Sequence, residues 1–192
     1  HKFSPNCNVT RFSTLKSVTS VTIPETVIYI GKYAFSAASK LRSVVIPDSV
    51  ISLGDYAFQN CGALSSVVIG NGVSKIGIST FFNCISLQSI TIPNNVKSIG
   101  LDAFRGCENL SSVTMGNGIT SIGDNAFSYC NRLINIEFGD SLESIGEYAF
   151  YDCIALSGVS FPDGFKSIGF GAFYGCISID ETVLPDSVTN LG

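Results

Sequence analysis

Several residue types that carry chemistry are rare in this chain of 192 residues. It has no tryptophan, one methionine and one histidine, which stands at position 1. A mechanism that pairs a Ser or Cys nucleophile with a histidine base needs an internal imidazole, and the sequence offers none. The seven cysteines include no Cys-x₂-Cys pair, so a zinc site has little support. We therefore expect no catalytic residues, no metal and no cofactor, and we predict that the chain is not an enzyme.

Charge and long apolar runs are also scarce. Only 14% of the residues are charged, the net charge is −4, and the sequence has no basic stripe. We read the negative charge as spread over the whole chain and expect no nucleic acid partner. No apolar run approaches the roughly 20 residues that cross a bilayer, so no membrane insertion is predicted. The chain begins with His1 and lacks the charged head and apolar stretch of an export signal, which we expect to have been removed or to lie outside this segment.

What the chain has instead is an internal repeat of 23 residues. A glycine marks each step without insertion or deletion, at Gly31, Gly54, Gly77, Gly100, Gly123, Gly146, Gly169 and Gly192. An apolar residue usually precedes this glycine, and a phenylalanine and then a cysteine usually follow it. A fixed period of this length is typical of a solenoid, in which each coil buries its apolar face only against its neighbours.

The unit from Leu41 to Cys61 indicates what each coil does. Its first part alternates inward and outward positions as far as Ile46, which predicts a short strand with one buried face. The next residues include Asp48 and favour a turn, so the acidic residues in this slot at 140, 163 and 186 are assigned to turn hydrogen bonds rather than to acid–base chemistry. After Gly54, apolar residues recur at short helical spacings, which predicts one 3₁₀ or helical turn on the convex side.

Two columns of side chains are expected inside the coils. The first consists of stacked rings at about the strand spacing of 4.8 Å, and its members are Phe35, Phe58, Phe81, Phe104, Phe127, Phe150 and Phe173. The second consists of Cys61, Cys84, Cys107, Cys130, Cys153 and Cys176. Neighbouring cysteines fall within the Cα distance for a disulfide, but their parallel Cβ vectors disfavour the required torsion. We predict buried free thiols that fill a tight turn.

The run L-x-x-V-x-I-P-x-S-V-x-x-L-G-x-x-A-F-x-x-C, read from Leu41 to Cys61, resembles the BspA-like leucine-rich repeats. This class of 23-residue repeats occurs in surface proteins of mucosal bacteria and protists, and the resemblance covers about nine-tenths of the chain. It implies a leucine-rich-repeat solenoid and adhesion to proteins of a host or a neighbouring cell, and it implies no enzyme. The chain departs from the pattern at Ala38 in the Cys slot, Thr80 in the Ala slot and Thr182 in the buried Val slot.

The predicted fold is a β/α solenoid, a right-handed leucine-rich-repeat array with 3₁₀ or helical turns on its convex side. It has one parallel β-sheet of about seven to eight short strands. Residues 1–192 are predicted to form a single domain that belongs to a longer protein. An irregular segment or cap occupies 1–8, a degenerate first coil 9–30, and seven 23-residue repeats 31–192.

The predicted binding surface is the concave face of the sheet, where outward side chains form columns across the coils. Most of these side chains are small and polar, and the C-terminal half of the face is acidic. The candidate ligand-binding residues are Arg42, Gln88, Thr91, Thr114, Asn135, Glu137, Ser160, Asp180 and Glu181. The expected partner is a protein, such as a surface or matrix protein of a host or neighbouring cell, and the expected location is the cell surface or the exterior of the cell.

Other interpretations stay open. One is a structural spacer solenoid without a ligand of its own, and a more remote one is a flat ice- or glycan-binding array, suggested by the Ser and Thr columns. End-to-end self-association of such an array is a further option. A second patch is offered by aromatic residues in two convex slots, although packing explains most such stripes. These aromatics are Tyr33, Tyr56 and Tyr148 in one slot and Phe82, Tyr151 and Tyr174 in the other.

Overall fold

The computed structural model describes residues 17–192, which form fifteen short β-strands and no helix. The strands are β1 (Ser20–Thr22), β2 (Tyr29–Ile30), β3 (Ser43–Ile46), β4 (Ser52–Leu53), β5 (Ser66–Ile69), β6 (Lys75–Ile76), β7 (Ser89–Thr91), β8 (Ser98–Ile99), β9 (Ser112–Thr114), β10 (Ser121–Ile122), β11 (Asn135–Glu137), β12 (Ser144–Ile145), β13 (Gly158–Ser160), β14 (Ser167–Ile168) and β15 (Asn190–Leu191). The predictions for the cap at 1–8 and for the start of the first coil at residue 9 lie outside the described residues.

Two sets of strands alternate along the chain. The longer strands are hydrogen-bonded in the groups β1-β3-β5 and β7-β9-β11-β13, whereas the two-residue strands form one ladder of eight, from β2 to β15. Every pair is parallel and joins residues one repeat apart, such as Val44 with Val67 and Ile99 with Ile122. The prediction of a parallel-strand solenoid of about seven coils is therefore confirmed.

The eight-stranded ladder corrects the prediction of a single sheet. We interpreted the residues of this ladder as the start of a helical turn. In β8, however, the β-branched Ile99 is 1% exposed and pairs with Ile76 and Ile122 in the neighbouring parallel strands. The following Gly100 donates its N–H to the Ile76 carbonyl at 2.9 Å. A Cβ on Gly100 would lie 2.8 Å from the carbonyl carbon of Gly77. Glycine thus lets successive backbones approach closely enough to continue the ladder.

The segment that follows each two-residue strand, called the turn segment (31–38 and its counterparts), is not helical. Tyr33 and Ala37 both have a φ of 60°, which interrupts the right-handed backbone that a helix requires. Their N–H groups donate to the next coil, to the carbonyls of Asp55 at 3.0 Å and Gln59 at 2.7 Å. The predicted β/α class and 3₁₀ or helical turns are therefore wrong: the segment is a series of tight turns bonded from coil to coil.

The core is enclosed by the two sets of strands and the turn segments. The predicted phenylalanine column is confirmed from Phe35 to Phe173, with ring centroids 5.1–5.4 Å apart and planes within 3–12° of parallel. Thr80, which departs from the sequence pattern, is buried in the alanine slot. Its hydroxyl donates to the Gly77 carbonyl at 2.9 Å, so the polar atom is satisfied inside the core.

The cysteine column is also confirmed as a set of six buried free thiols. Each thiol donates to the carbonyl of a phenylalanine in the preceding coil, as Cys84 does to Phe58 at 3.3 Å and Cys107 to Phe81 at 3.2 Å. The sequence predicted the burial but not these hydrogen bonds. Each thiol thereby ties the turn segments of two coils together.

Candidate protein-binding face

The outward positions of β1, β3, β5, β7, β9, β11 and β13 form a continuous surface that we call the strand face. In β3, Val44 and Ile46 are buried while Ser43 and Val45 are exposed. Because the strands pair in parallel at a constant register, outward side chains at equivalent positions form straight columns across the coils.

All nine predicted site residues are exposed. The group β7-β9-β11-β13 brings five of them together. Thr91, Thr114, Glu137 and Ser160 are register partners and make one column, and Asn135 lies on the same face of β11. The middle of the predicted site is therefore a real cluster on one sheet.

The other four predicted residues lie outside this cluster. Arg42 and Gln88 each precede a strand by one residue, β3 and β7 respectively. Asp180 and Glu181 lie after β13 in a segment that forms no strand. The sequence placed Glu181 in a strand column, so this part of the arrangement differs from the expected one.

The last coil differs from the others at Thr182. In the slot where other coils bury Val or Ile, its side chain is exposed. Its hydroxyl donates to the Val159 carbonyl at 3.3 Å, so a side chain occupies a backbone acceptor of β13. A threonine does not replace valine in an apolar core without a cost for its hydroxyl.

Three shallow clefts lie along this surface. One of about 220 Å³ is lined by Ser112, Val113, Thr114, Met115, Asn135 and Glu137. A second of about 540 Å³ is lined by Val159, Ser160, Phe161, Asp163, Glu181, Thr182, Val183 and Pro185. A third of about 460 Å³ is lined by Gln88, Asn109, Ser111 and Arg132. Each cleft contains at least one predicted residue.

Asp163, Asn109 and Arg132 also line these clefts, although they were not among the predicted site residues. Asp163 was assigned to turn hydrogen bonding, but it lines the same cleft as Glu181. Asn109 and Arg132 share one slot of the repeat, shortly before the strand, and each faces the cleft that contains Gln88. This slot varies between coils and holds Lys40 and Ala63 in earlier ones. That variation was the sequence signal that could have pointed to Asn109 and Arg132.

The charge of the chain is divided unevenly, contrary to the expectation of an even spread. Residues 133–192 contain nine Asp and Glu and one Lys, for a net charge of −8. Residues 1–132 contain ten Lys and Arg and six Asp and Glu, for a net charge of +4. The single lysine of the C-terminal part, Lys166, is bound to Glu143 at 3.0 Å. The C-terminal part of the chain is therefore strongly acidic.

Other kinds of site find no support in the described part of the chain. Residues 17–192 contain no group of three or more His, Cys, Asp or Glu side chains that could hold a metal ion. In the same range, no helix has the length and apolar character needed to cross a bilayer. What the strand face offers is columns of hydroxyl, amide and carboxylate groups, with the exposed side chains of Val45 and Val68 among them.

Fold and surface together define a leucine-rich-repeat solenoid with an open strand face. A sequence model of the BspA type leucine-rich repeat region matches in six copies, over residues 7–133 and 74–192. The chain therefore belongs to the BspA-type leucine-rich-repeat family. Proteins built from leucine-rich repeats are in general protein-interaction modules. No curated protein matches the chain.

Solved bacterial structures share this fold. A leucine-rich repeat protein of T. pallidum is 28% identical with a TM-score of 0.81, and the match covers 85% of this chain and 78% of that one. A leucine-rich repeat protein of Bacteroides ovatus is 30% identical with a TM-score of 0.68, covering 90% of this chain and 53% of that one. A leucine-rich cell surface protein of Faecalibacterium prausnitzii is 24% identical with a TM-score of 0.55, and the match covers 91% of this chain and 69% of that one. This chain thus spans about half the length of the B. ovatus protein.

Proposed function

We propose that this chain is a non-catalytic binding module that recognises a basic protein partner through the strand face, which we take to be concave. The observation that carries the proposal is the column of Thr91, Thr114, Glu137 and Ser160 on one sheet. Glu137 has no Lys or Arg partner among residues 17–192. A fixed array of polar groups around a free carboxylate favours a partner that brings positive charge.

We further propose that the module acts at the cell surface or after secretion, in adhesion to a surface or matrix protein of a host or neighbouring cell. Support comes from the family, since BspA-type repeats are found in bacterial surface proteins. A concave solenoid face also suits the extended surface of a protein better than a small molecule.

A spacer without a ligand is the main alternative. It would need only the stacked core and would place no constraint on the strand face. An ice- or glycan-binding array has less support, because Val45, Val68 and Glu137 interrupt the hydroxyl column in which Thr91 and Thr114 lie.

The proposal is tested by measuring the association of the 192-residue chain with a panel of purified, immobilised matrix proteins that range from acidic to basic. The test variant carries Glu137→Lys with Glu181→Lys. The matched control carries Glu25→Lys with Glu108→Lys, two exposed carboxylates in the basic part of the chain, and changes the net charge equally.

We expect a basic matrix protein to bind, and the test variant to lower its association rate about tenfold and to reduce the salt dependence. The control variant should retain most of the association rate of the parent chain. Binding that responds equally to both variants contradicts the placement on the strand face, and the absence of binding to every basic protein supports the spacer.

A further inference from the structure

Five aromatic side chains form a contiguous patch on the turn segments of the last three coils. This aromatic patch consists of Tyr129, Tyr148, Tyr151, Phe170 and Tyr174. Tyr151 and Tyr174 stack with centroids 5.5 Å apart and planes 6° from parallel. Tyr148 meets Tyr151 edge-on at 5.8 Å and Phe170 at 5.5 Å. Phe170 is 59% exposed and Tyr174 is 66% exposed, so two rings of the patch are largely in contact with water.

The first coils show what covers aromatic rings elsewhere in this array. Tyr33 and Tyr56 stack at 4.7 Å, and the Lys32 ammonium lies 5.4 Å from the centroid of each ring. Five repeats further on, the slot of Lys32 is occupied by Glu147 and the slot of Tyr33 by Tyr148. An acidic residue therefore precedes the C-terminal ring where a basic residue precedes the N-terminal one.

A comparison of Arg105 with the equivalent residue of a later coil likewise shows a cation near a ring in the earlier coil and an acidic residue near a ring in the later one. The Arg105 guanidinium lies 5.6 Å from the centroid of Tyr129 and also bonds Asp102 at 3.2 Å. Two repeats further on, the slot of Arg105 is occupied by Tyr151, and Asp152 follows it. The negative charge of Asp152 raises the pKa of the Tyr151 hydroxyl. The C-terminal edge of the patch thus combines rings with carboxylates.

Among the described residues 17–192, no cation lies over this part of the patch. Between Arg132 and Gly192 the only basic residue is Lys166. It is bound to Glu143, and these two residues immediately precede β14 and β12. Among residues 17–192, the cation–π contacts are those of Lys32 and Arg105. Tyr148, Tyr151, Phe170 and Tyr174 are therefore rings close to acidic residues, without a cation of the kind that lies over Tyr33, Tyr56 and Tyr129.

We propose that the aromatic patch docks an arginine-bearing segment of a partner protein. A guanidinium stacks on the exposed Phe170 and Tyr174 rings, and the carboxylates of Glu147 and Asp152 attract it. Arginine fits better than lysine because its planar group stacks on aromatic faces and can bond a carboxylate through two N–H groups. This surface lies on the turn segments, not on the strand face, so the inference does not depend on the function proposed above.

The test uses two blocked peptides of equal charge, hexa-arginine and hexa-lysine, titrated into the 192-residue chain by calorimetry at fixed ionic strength. The ring variant carries Phe170→Leu with Tyr174→Leu, which removes the aromatic faces but keeps apolar side chains. The matched control carries Tyr33→Leu with Tyr56→Leu, where Lys32 already covers the rings. Thermal unfolding of each variant confirms that it folds, and Tyr174→Leu alone replaces the double variant if that one does not.

We expect the parent chain to bind hexa-arginine more tightly than hexa-lysine. The ring variant should lose about five- to thirtyfold in hexa-arginine affinity and most of the preference, as expected for two cation–π contacts. The control should bind like the parent chain. Equal affinity of the ring variant and the parent chain overturns the proposal, and so does a loss of binding that appears only with Glu137→Lys and Glu181→Lys on the strand face.

Discussion

The ring of Phe104 lies nearly parallel to the ring of Phe127, with 5.1 Å between their centroids and 5° between their planes. On its other side, Phe104 stacks on Phe81 at 5.2 Å. Each ring is therefore an interface between two coils as well as a core residue of its own coil. Because a linear array has only nearest-neighbour interfaces, the loss of one ring weakens two of them.

Replacement of Phe104 by alanine should lower the free energy of unfolding by about 3–5 kcal/mol, since it removes a fully buried ring and leaves a cavity. Urea denaturation followed by circular dichroism measures the change. The control is Phe170→Ala, which removes a ring that is 59% exposed and should cost less than about 1 kcal/mol. A Phe104→Ala variant with an unchanged midpoint would contradict the stacked column.

The buried thiols predict how stability depends on pH. Burial raises the pKa of Cys61 and of Cys107 to about 12, from an ordinary value of 9.0. The folded chain then keeps both protons in a range where the unfolded chain loses them. The protonated thiols therefore stabilise the folded chain, and this stabilisation is complete below about pH 9. As the pH rises toward 12 it is lost, at about 1.4 kcal/mol of unfolding free energy per pH unit for each thiol.

The double variant Cys61→Ala and Cys107→Ala isolates this effect from the titration of Lys and Tyr. Its free energy of unfolding, measured by urea denaturation from pH 8.5 to 11, should fall less steeply than that of the parent chain, by about 2.7 kcal/mol per pH unit at most. Any loss of packing shifts the whole curve and leaves its slope alone. Identical slopes would show that these thiols do not titrate with unfolding.

The columns could be predicted from the sequence because a constant period makes every coil repeat its neighbour's contacts. The backbone conformation of the turn segments was not predicted. Two positions in each of seven coils have a positive φ, and only three of them hold glycine: Gly106, Gly171 and Gly175. Five of the others hold Asn or Asp, which adopt a left-handed backbone more readily than most residues, but the remaining six include Tyr33 and Ala37, whose types do not indicate it. Hydrogen bonds to the next coil fix that conformation.

Substitutions at two positions of this slot should change the free energy of unfolding in opposite directions. Ala37 has a φ of 60°, a conformation that costs an alanine roughly 1–2 kcal/mol. Ala37→Gly should therefore stabilise the chain by about 0.5–1 kcal/mol after the entropy of the added glycine is counted. In the same slot, Gly106 has a φ of 73°, and an added Cβ would run into Oδ1 of Asn83. Gly106→Ala should be destabilising by about 1–2 kcal/mol.

Thermal and urea unfolding of the two variants check this pair. A destabilising Ala37→Gly together with a neutral Gly106→Ala would contradict the left-handed conformation of the slot. If Gly106→Ala alone is neutral, movement of the Asn83 amide has relieved the contact, and Ala37→Gly still decides the point.

The candidate site was predicted only in part. Thr91, Thr114, Asn135, Glu137 and Ser160 follow from strand alternation and constant register, and both can be read from sequence. The segment around Glu181 was predicted to continue the strand columns, but it forms no strand, and the one sequence signal for this difference was Thr182 in the slot of a buried valine. The division of charge between residues 1–132 and 133–192 was visible in the sequence, but it emerges only when charges are counted along the array and not over the whole chain.

Close backbone contact at the ladder of two-residue strands gives the last prediction. A Cβ at Gly100 would lie 2.8 Å from the Gly77 carbonyl carbon, and a backbone atom bonded into the ladder cannot move aside as a side chain can. Gly100→Ala should lower the free energy of unfolding by about 3 kcal/mol, at the upper end of the usual cost of overpacking. The control is Gly164→Ala, because an added Cβ there has nothing within 4 Å, and it should be neutral or slightly stabilising. Urea denaturation of both variants measures the difference, and equal midpoints would mean that the coils can separate at Gly100 without loss, contrary to the observed ladder.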